Sequence, residues 1–374
     1  MCDMVPLMAQ GATVEVEGIS AIEDLTPDWM EAVLHGAGLP MARVSDVTVE
    51  RVGTGQSGTC CRIVPQYVGS DPALPRSIIA KFPGESEASR RIGTEYGVFL
   101  REVNFYRYLQ HRCAIRTPRC YHASIRGNGP EFAILLEDLA PAVQGDQMVG
   151  CSIELTKAAL VELVGLHAPT WHDAAILEQG WMMEPALADR AECVSGLYRH
   201  GLPQFMERCA PGLEPDEVAL IKRLGKEAEF PSEYPRLKVH CATHNDYRLD
   251  NLLIDSTRQP ERLHVVDWQT VGTANPMRDV SYFLGGCLTT SDRAALEREL
   301  VGYYHDHLIA AGVADYPLEQ CWDDYRQAAY HGLMNAVVAM IGVGRTERGD
   351  RLFTLMAQRH VRQILDLGAD TLLG

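Results

Sequence analysis

The stretch His244-Asn245-Asp246-Tyr247-Arg248-Leu249-Asp250-Asn251-Leu252-Leu253-Ile254-Asp255, followed by His264-Val265-Val266-Asp267-Trp268, decides how this chain is read. Leu252–Ile254 and Leu263–Val266 are short apolar runs that fit two strands of a hairpin. Such a hairpin would gather Asp246, Asn251 and Asp267 on its flanking loops. An Asp, an Asn five residues on and a second Asp closing the next strand is a pattern that phosphoryl transfer needs. One carboxylate orients the attacking hydroxyl and accepts its proton, while an amide oxygen and a second carboxylate hold a hard divalent cation against phosphate oxygens. Asp246 fits the first role; Asn251 and Asp267 fit the metal-binding ones, with Mg²⁺ the expected ion.

This segment resembles the catalytic segment of the aminoglycoside phosphotransferase and choline kinase superfamily, whose fold is kinase-like. Its His-x-Asp-x₄-Asn is similar to the catalytic loop of protein kinases, and Asp267-Trp268 stands where those have Asp-Phe-Gly. Asn275-Pro-Met-Arg-Asp279-Val-Ser-Tyr-Phe-Leu also resembles the superfamily. Thr290-Ser-Asp-Arg-Ala-Ala-Leu-Glu and Tyr303-Tyr-His-Asp-His-Leu are similar to its ecdysteroid kinase-like branch. The resemblance implies ATP as phosphoryl donor and a small-molecule hydroxyl as acceptor. It makes His244 a structural histidine and Asp279 an organiser of the loop. Arg248 could balance the carboxylates or reach a phosphate.

Working outward, the remaining parts of a nucleotide-binding lobe follow in order. Strand patterns at Val47–Val52 and Cys60–Val68 flank Gly53-Thr-Gly55-Gln-Ser57-Gly58, a turn whose backbone N–H groups could cradle phosphates. Lys81 ends the run Ser77-Ile-Ile-Ala-Lys81 within the strand pattern Ser77–Phe82. Glu102 lies on a helix read over Glu95–Gln110, where it could pair with Lys81. Strands at Cys120–Ile125 and Phe132–Glu137, joined at Gly127-Asn128-Gly129, run into Glu137-Asp138-Leu139, which resembles the family's adenine-binding hinge through Glu137 and Leu139. These elements cover residues 47–285.

Around them, Thr26-Pro27-Asp28 signals a helix start. Further helices fit Ser152 to His167, Pro215–Ala228, Pro276–Leu288, Arg293–Ala311, Leu318–Ile341 and Gly344–Leu365. The expected architecture is α+β and bilobal: residues 1–138 a small lobe with an antiparallel sheet and one inserted helix, residues 139–374 a larger, mainly helical lobe carrying the catalytic and substrate-binding residues.

Composition agrees with an ordinary globular protein. The 374 residues are 46% hydrophobic and 22% charged, with ample apolar material for a core. Lys and Arg total 34 against 50 Asp and Glu, a net charge of −16. That balance disfavours a general nucleic-acid binder, whose affinity comes from neutralising phosphates. The 11 cysteines include no CxxC pair, which fits reduced thiols and a cytoplasmic setting. Met1–Ala12 has no basic and apolar leader pattern, and no apolar run is long enough to span a bilayer, so no membrane partner is expected.

Three other readings remain. A pseudokinase would bind nucleotide without turnover and regulate a partner. A two-metal hydrolase could use His244, Asp246, His264 and Asp267, though His264 and Asp267 fall on opposite strand faces. A protein kinase is disfavoured, because no long activation segment or Ala-Pro-Glu follows Asp267-Trp268. Tryptophans and other aromatic residues of the second lobe, such as Trp171, Trp322 and Tyr330, suit a hydrophobic or steroid-like alcohol, and the acidic balance suits an aminoglycoside- or choline-like cation.

Overall fold

A computed structural model of the chain describes residues 18–52, 58–182, 187–226, 239–342 and 344–372. Gly53, Gly55 and Ser57 lie outside the described residues. Two compact units emerge. Among the described residues, the first comprises those up to 112, 117–140 and the short segment 267–270; the second holds those of 113–116, 141–266 and from 271 onward.

The first unit is built on an antiparallel sheet of β1 (Val44–Arg51), β2 (Gly58–Tyr67), β3 (Ile78–Pro83), β4 (Cys120–Ile125) and β5 (Phe132–Glu137), ordered β1-β2-β3-β5-β4. Strand parity assigns its two faces. Cys61, Ile63, Ile78, Ala80, Phe82, Ala133 and Leu135 point one way, into a core closed by Met30, Val33 and Leu34 of helix α1 (Pro27–Gly36). Thr26 caps α1, its hydroxyl accepting from the Trp29 N–H at 3.1 Å. Lys81 lies between Ala80 and Phe82 and so projects from the opposite face, where α3 (Val98–Asn104) packs. A one-residue slip of β3 would send Lys81 into the apolar side.

One continuous helix over Glu95–Gln110 is not what forms. Gly97, at φ +66°, separates α2 (Glu87–Glu95) from α3, and after Asn104 the helix widens into a π turn, Phe105–Leu109, then a 3₁₀ turn. Left-handed geometry at Gly97 ends α2 as glycine commonly does.

The second unit is mainly helical: α4 (Ile153–His167), α5 (Ala174–Leu177), α6 (Leu187–Cys209), α7 (Pro215–Lys226), α8 (Met277–Cys287), α9 (Thr290–Ala310), α10 (Leu318–Ala328), α11 (Tyr330–Val338) and α12 (Glu347–Asp366). The sequence reading carried no helix over α6, whose Pro203 reads as a breaker. The helix read over Leu318–Ile341 is instead α10 and α11, meeting at Ala329. The hairpin read from sequence forms as β8 (Leu252–Asp255) and β9 (Arg262–Val265), joined by the unforeseen β6 (Val143–Gln144). A second unforeseen pair, β7 (Cys241–Thr243) with β10 (Gly272–Ala274), starts the loop that carries His244.

Every residue of α8 is buried. A Cβ on Gly285 would sit 2.1 Å from Gln363 Oε1 and 2.6 Å from His360 Nδ1, so glycine is what lets α12 approach here. His360 is fully buried; Nδ1 donates to Gln363 Oε1 at 3.1 Å, while Nε2 has no hydrogen-bond partner. A proton on Nε2 would be an unpaired buried charge, and burial pushes the imidazole pKa down to about 4. The unfolded chain, near 6.5, takes up that proton first, so this histidine costs stability progressively as pH falls from about 6.5 to about 4. The urea midpoint is therefore expected to drop between pH 7 and pH 5 more steeply in the wild type than in His360→Gln. Parallel pH profiles would refute the assignment.

Candidate active site

Within the first unit, Lys81 Nζ donates to Glu102 Oε2 at 2.7 Å and to Asp267 Oδ1 at 2.9 Å. Register explains the first contact: β3 presents Lys81 to the face on which α3 presents the buried Glu102. Burial alone would push the ammonium pKa down, but the Asp267 and Glu102 carboxylates outweigh it and hold the pKa up. Burial raises the Glu102 pKa, against the pull of Lys81. Breaking the pair would leave the buried Glu102 side chain without its partner.

Asp267 reaches Lys81 because the residues after β9 turn sharply. Asp267 itself is left-handed, at φ +67°, a conformation that non-glycine residues seldom adopt. Gln269 Nε2 donates to its other oxygen at 3.1 Å. Trp268 is fully buried and stacks on Phe105 with centroids 3.6 Å apart and planes 4° from parallel. Helix α3 and its π turn thus hold both Lys81, through Glu102, and the Asp267-Trp268 turn, through Phe105. Gly58 begins β2, where a Cβ would come within 3.0 Å of Phe82 O and 3.3 Å of Lys81 Cε. Glu137 ends β5 with its carboxylate on the Arg119 N–H at 3.2 Å, and Leu139 is half-buried. Between them Asp138 accepts from Arg62 Nε at 2.6 Å and Ser77 Oγ at 2.7 Å, which pins this segment.

In the second unit, the 244–251 loop is organised around Asp279, fully buried in the first turn of α8. Its two oxygens accept the backbone N–H groups of His244 and Asn245, each at 2.7 Å. His167 Nε2, from the end of α4, donates to Asp279 Oδ2 at 3.2 Å, and Tyr304 of α9 bonds His167 Nδ1 at 2.8 Å. Burial raises the Asp279 pKa, but these donors more than compensate and hold it below the usual carboxylate range. Asn245 is left-handed, at φ +66°. Arg278 Nη1 fixes its side chain at 2.8 Å, and His331 fixes its carbonyl at 2.8 Å.

The His244 ring bridges backbone groups: Nδ1 accepts the Asp246 N–H at 3.3 Å, so Nε2 carries the proton and donates to Val266 O at 3.0 Å. Asp246 is held on both oxygens. Tyr282 Oη donates to Oδ1 at 3.1 Å, Arg248 Nε lies 3.3 Å from the same atom, and Asn251 Nδ2 donates to Oδ2 at 2.9 Å. Asn251 Nδ2 also reaches Asp246 O at 2.8 Å, so the Asn251 amide turns its nitrogen to Asp246 and keeps its oxygen for another group. Arg248 also pairs with Asp250.

The folded units therefore bring together Lys81, Glu102 and Asp267, with Gly58 beside them, and separately His244, Asp246, Arg248, Asn251 and Asp279. The sequence reading missed Tyr282, although it sits three residues after Asp279 on the same helix face. His167 ends the helix that the sequence predicts over Ser152 to His167, and nothing in that pattern marks it as a partner of Asp279. No group of three or more His, Cys, Asp or Glu residues able to hold a metal occurs among the described residues. No helix among them is long and apolar enough to cross a membrane.

Solved structures place this architecture among kinase-like folds. Choline kinase from Cryptosporidium parvum Iowa II aligns with a TM-score of 0.53 at 13% identity, covering 86% of this chain and 91% of that one. An ethanolamine kinase from Plasmodium vivax aligns at 0.51 and 10%, covering 91% and 86%. A candidate aminoglycoside phosphotransferase from Ralstonia eutropha JMP134 aligns at 0.50 and 16%, covering 91% and 97%. The fold is thus bilobal, α+β and kinase-like. Residues 57–312 match the ecdysteroid kinase-like family, and the chain belongs to that family. A Caenorhabditis elegans protein named uncharacterized oxidoreductase dhs-27 is 23% identical over 264 residues, which are 67% of this chain and 31% of that protein. The match thus spans under a third of that relative's length.

Proposed function

We propose that the protein is an ATP- and Mg²⁺-dependent small-molecule kinase that transfers the γ-phosphoryl group to a hydroxyl. The observation that carries this reading is the lysine held between two carboxylates, Lys81 on Glu102 and Asp267, in a chain whose other unit fixes Asp246 on both oxygens. A partly buried ammonium with that support is a fixed positive charge for phosphate oxygens. Gly58, with Gly53, Gly55 and Ser57 before it, would cover those phosphates, and Glu137 to Leu139 would offer backbone to the base.

Asp246 accepts the proton of the acceptor hydroxyl and aligns it for in-line attack. Its partners stiffen it without removing the carboxylate's capacity to accept. Asn251 and Asp267 would supply the oxygen ligands of Mg²⁺. The donor set fits, since both are hard oxygens and the Asn251 nitrogen is already committed to Asp246. Bound Mg²⁺ supplies neutralisation of phosphate charge. The acceptor is a hydroxylated small molecule, either a hydrophobic, steroid-like alcohol or an aminoglycoside- or choline-like cation, handled in the cytoplasm.

The test is ADP release from Mg·ATP across a panel of such alcohols, with calorimetry of nucleotide binding alongside. Acceptor-dependent ADP release is expected, and Lys81→Met should lower it by about 10²–10³-fold. Absence of nucleotide binding would remove the proposal. Nucleotide binding with no acceptor ever phosphorylated would replace it with a regulatory, catalytically silent role.

A further inference from the structure

Two thiols in the second unit are arranged for a reaction that the phosphotransferase reading does not use. Cys151 lies just before α4, and Cys287 is the last residue of α8. Their backbones are joined, the Cys151 N–H donating to Cys287 O at 3.0 Å. Gly150, at φ +81°, makes this approach possible, since a Cβ there would be 2.7 Å from Cys287 O. A backbone hydrogen bond of this kind brings the two Cα atoms into the range that a disulfide spans, about 4.4–6.8 Å. The side chains converge as well. Thr156 Oγ1 lies 3.3 Å from Cys151 Sγ and 3.9 Å from Cys287 Sγ.

The two sulfurs differ in exposure and in charge environment. Cys151 is half-buried and Cys287 fully buried. The positive N-terminal end of α4 begins beside Cys151, and the buried guanidinium of Arg359 donates to the carbonyl of Gly286, the residue before Cys287. Both features favour a thiolate. In accord with this, bonds from Cys287 and Thr156 and the nearby Arg359 hold the Cys151 thiol below its ordinary pKa despite burial, while burial pushes Cys60, Cys61, Cys120, Cys209, Cys241, Cys287 and Cys321 up.

We propose that Cys151 and Cys287 form a reversible disulfide on exposure to a peroxide. The Cys151 thiolate attacks one peroxide oxygen, the O–O bond breaks, and hydroxide leaves to be protonated to water, giving the Cys151 sulfenic acid. The Cys287 sulfur then attacks the Cys151 sulfur, releasing a second water, with its own proton and the sulfenic hydroxyl leaving together. Both thiols are oxidised by two electrons in total, and the peroxide is reduced. The bond ties the start of α4 to the end of α8, the two helices that carry His167 and Asp279.

The experiment treats the full chain with a small excess of hydrogen peroxide, then maps it by mass spectrometry without reduction and measures its melting temperature. The expected result is a cross-linked pair of peptides containing Cys151 and Cys287, lighter by two hydrogens, and a melting temperature that rises and returns with dithiothreitol. Cys151→Ser should lose both the cross-link and the rise. Because the wild-type peptide map decides the matter, the outcome does not hang on any variant folding. Cys151 and Cys287 recovered as free thiols, Cys151 carried on to the sulfinic acid without a link, or a link between other cysteines would each overturn the proposal.

Discussion

Asp246→Asn is expected to lower acceptor phosphorylation by about 10²–10⁴-fold, the usual worth of a positioned general base. The substitution keeps the shape of the side chain and removes its basicity. The geometry makes this a clean experiment. In the folded unit one oxygen takes the Tyr282 hydroxyl and faces Arg248, and the other takes the Asn251 amide. An asparagine can leave its oxygen toward Asn251 and turn its nitrogen toward Tyr282, whose hydroxyl can rotate and accept. The partly exposed ion pair with Arg248 is lost, and Arg248 keeps Asp250. The stability cost should be about 1 kcal/mol, the net worth of one altered hydrogen bond. Nucleotide affinity, read by calorimetry, should be unchanged, because phosphate binding is assigned to Lys81. A variant with near-normal kcat would show that Asp246 does not take the hydroxyl proton. A variant that loses nucleotide binding would show that the two roles are not separable.

The second large effect concerns folding. Asp279→Ala is expected to destabilise the chain by about 3–5 kcal/mol, read as a fall in the urea midpoint. The carboxylate is fully buried and is the acceptor for two backbone N–H groups and for His167. Truncation leaves all three donors without it in a site sealed from water, and unsatisfied buried donors cost more than the bonds were worth. Asp279→Asn keeps one acceptor oxygen and should lose clearly less. The direction of the pKa shift gives an independent check. A carboxylate held below its unfolded value contributes stability above the unfolded pKa, near 3.9, and that contribution fades as pH falls through the lower folded value. The gap between wild type and Asp279→Ala should thus narrow in strong acid. An alanine variant as stable as the wild type would mean that the 244–245 backbone finds other acceptors.

Much of this molecule was legible before folding was considered. The strand patterns around Gly58, Lys81 and Glu137 correspond to β2, β3 and β5 within three residues at each end. Period-2 alternation in a sheet covered on both faces leaves little choice of register, so Lys81 had to leave the α1 side. The hairpin after Asn251 was equally plain, since two short apolar runs bounded by polar turns have few other ways to bury themselves. Helix boundaries were less accessible. Pro203 inside α6 reads locally as a stop, yet the packing of Tyr198 and Phe205 into the core outweighs that local cost. Nothing in the run Leu318–Ile341 announces the break at Ala329.

What the sequence determined by itself was the set of chemical groups, their order and the strand parity that separates Lys81 from the apolar core. Those follow from local pattern, because side-chain direction in a strand is fixed by counting residues. What tertiary structure alone decided was who holds each group in place. Asp279 with His167 and Tyr304, Tyr282 with Asp246, Trp268 with Phe105, and Cys151 with Cys287 pair residues from separate elements, most of them far apart in the chain. Buried donors and acceptors are matched only when distant segments pack, and no local periodicity records that match.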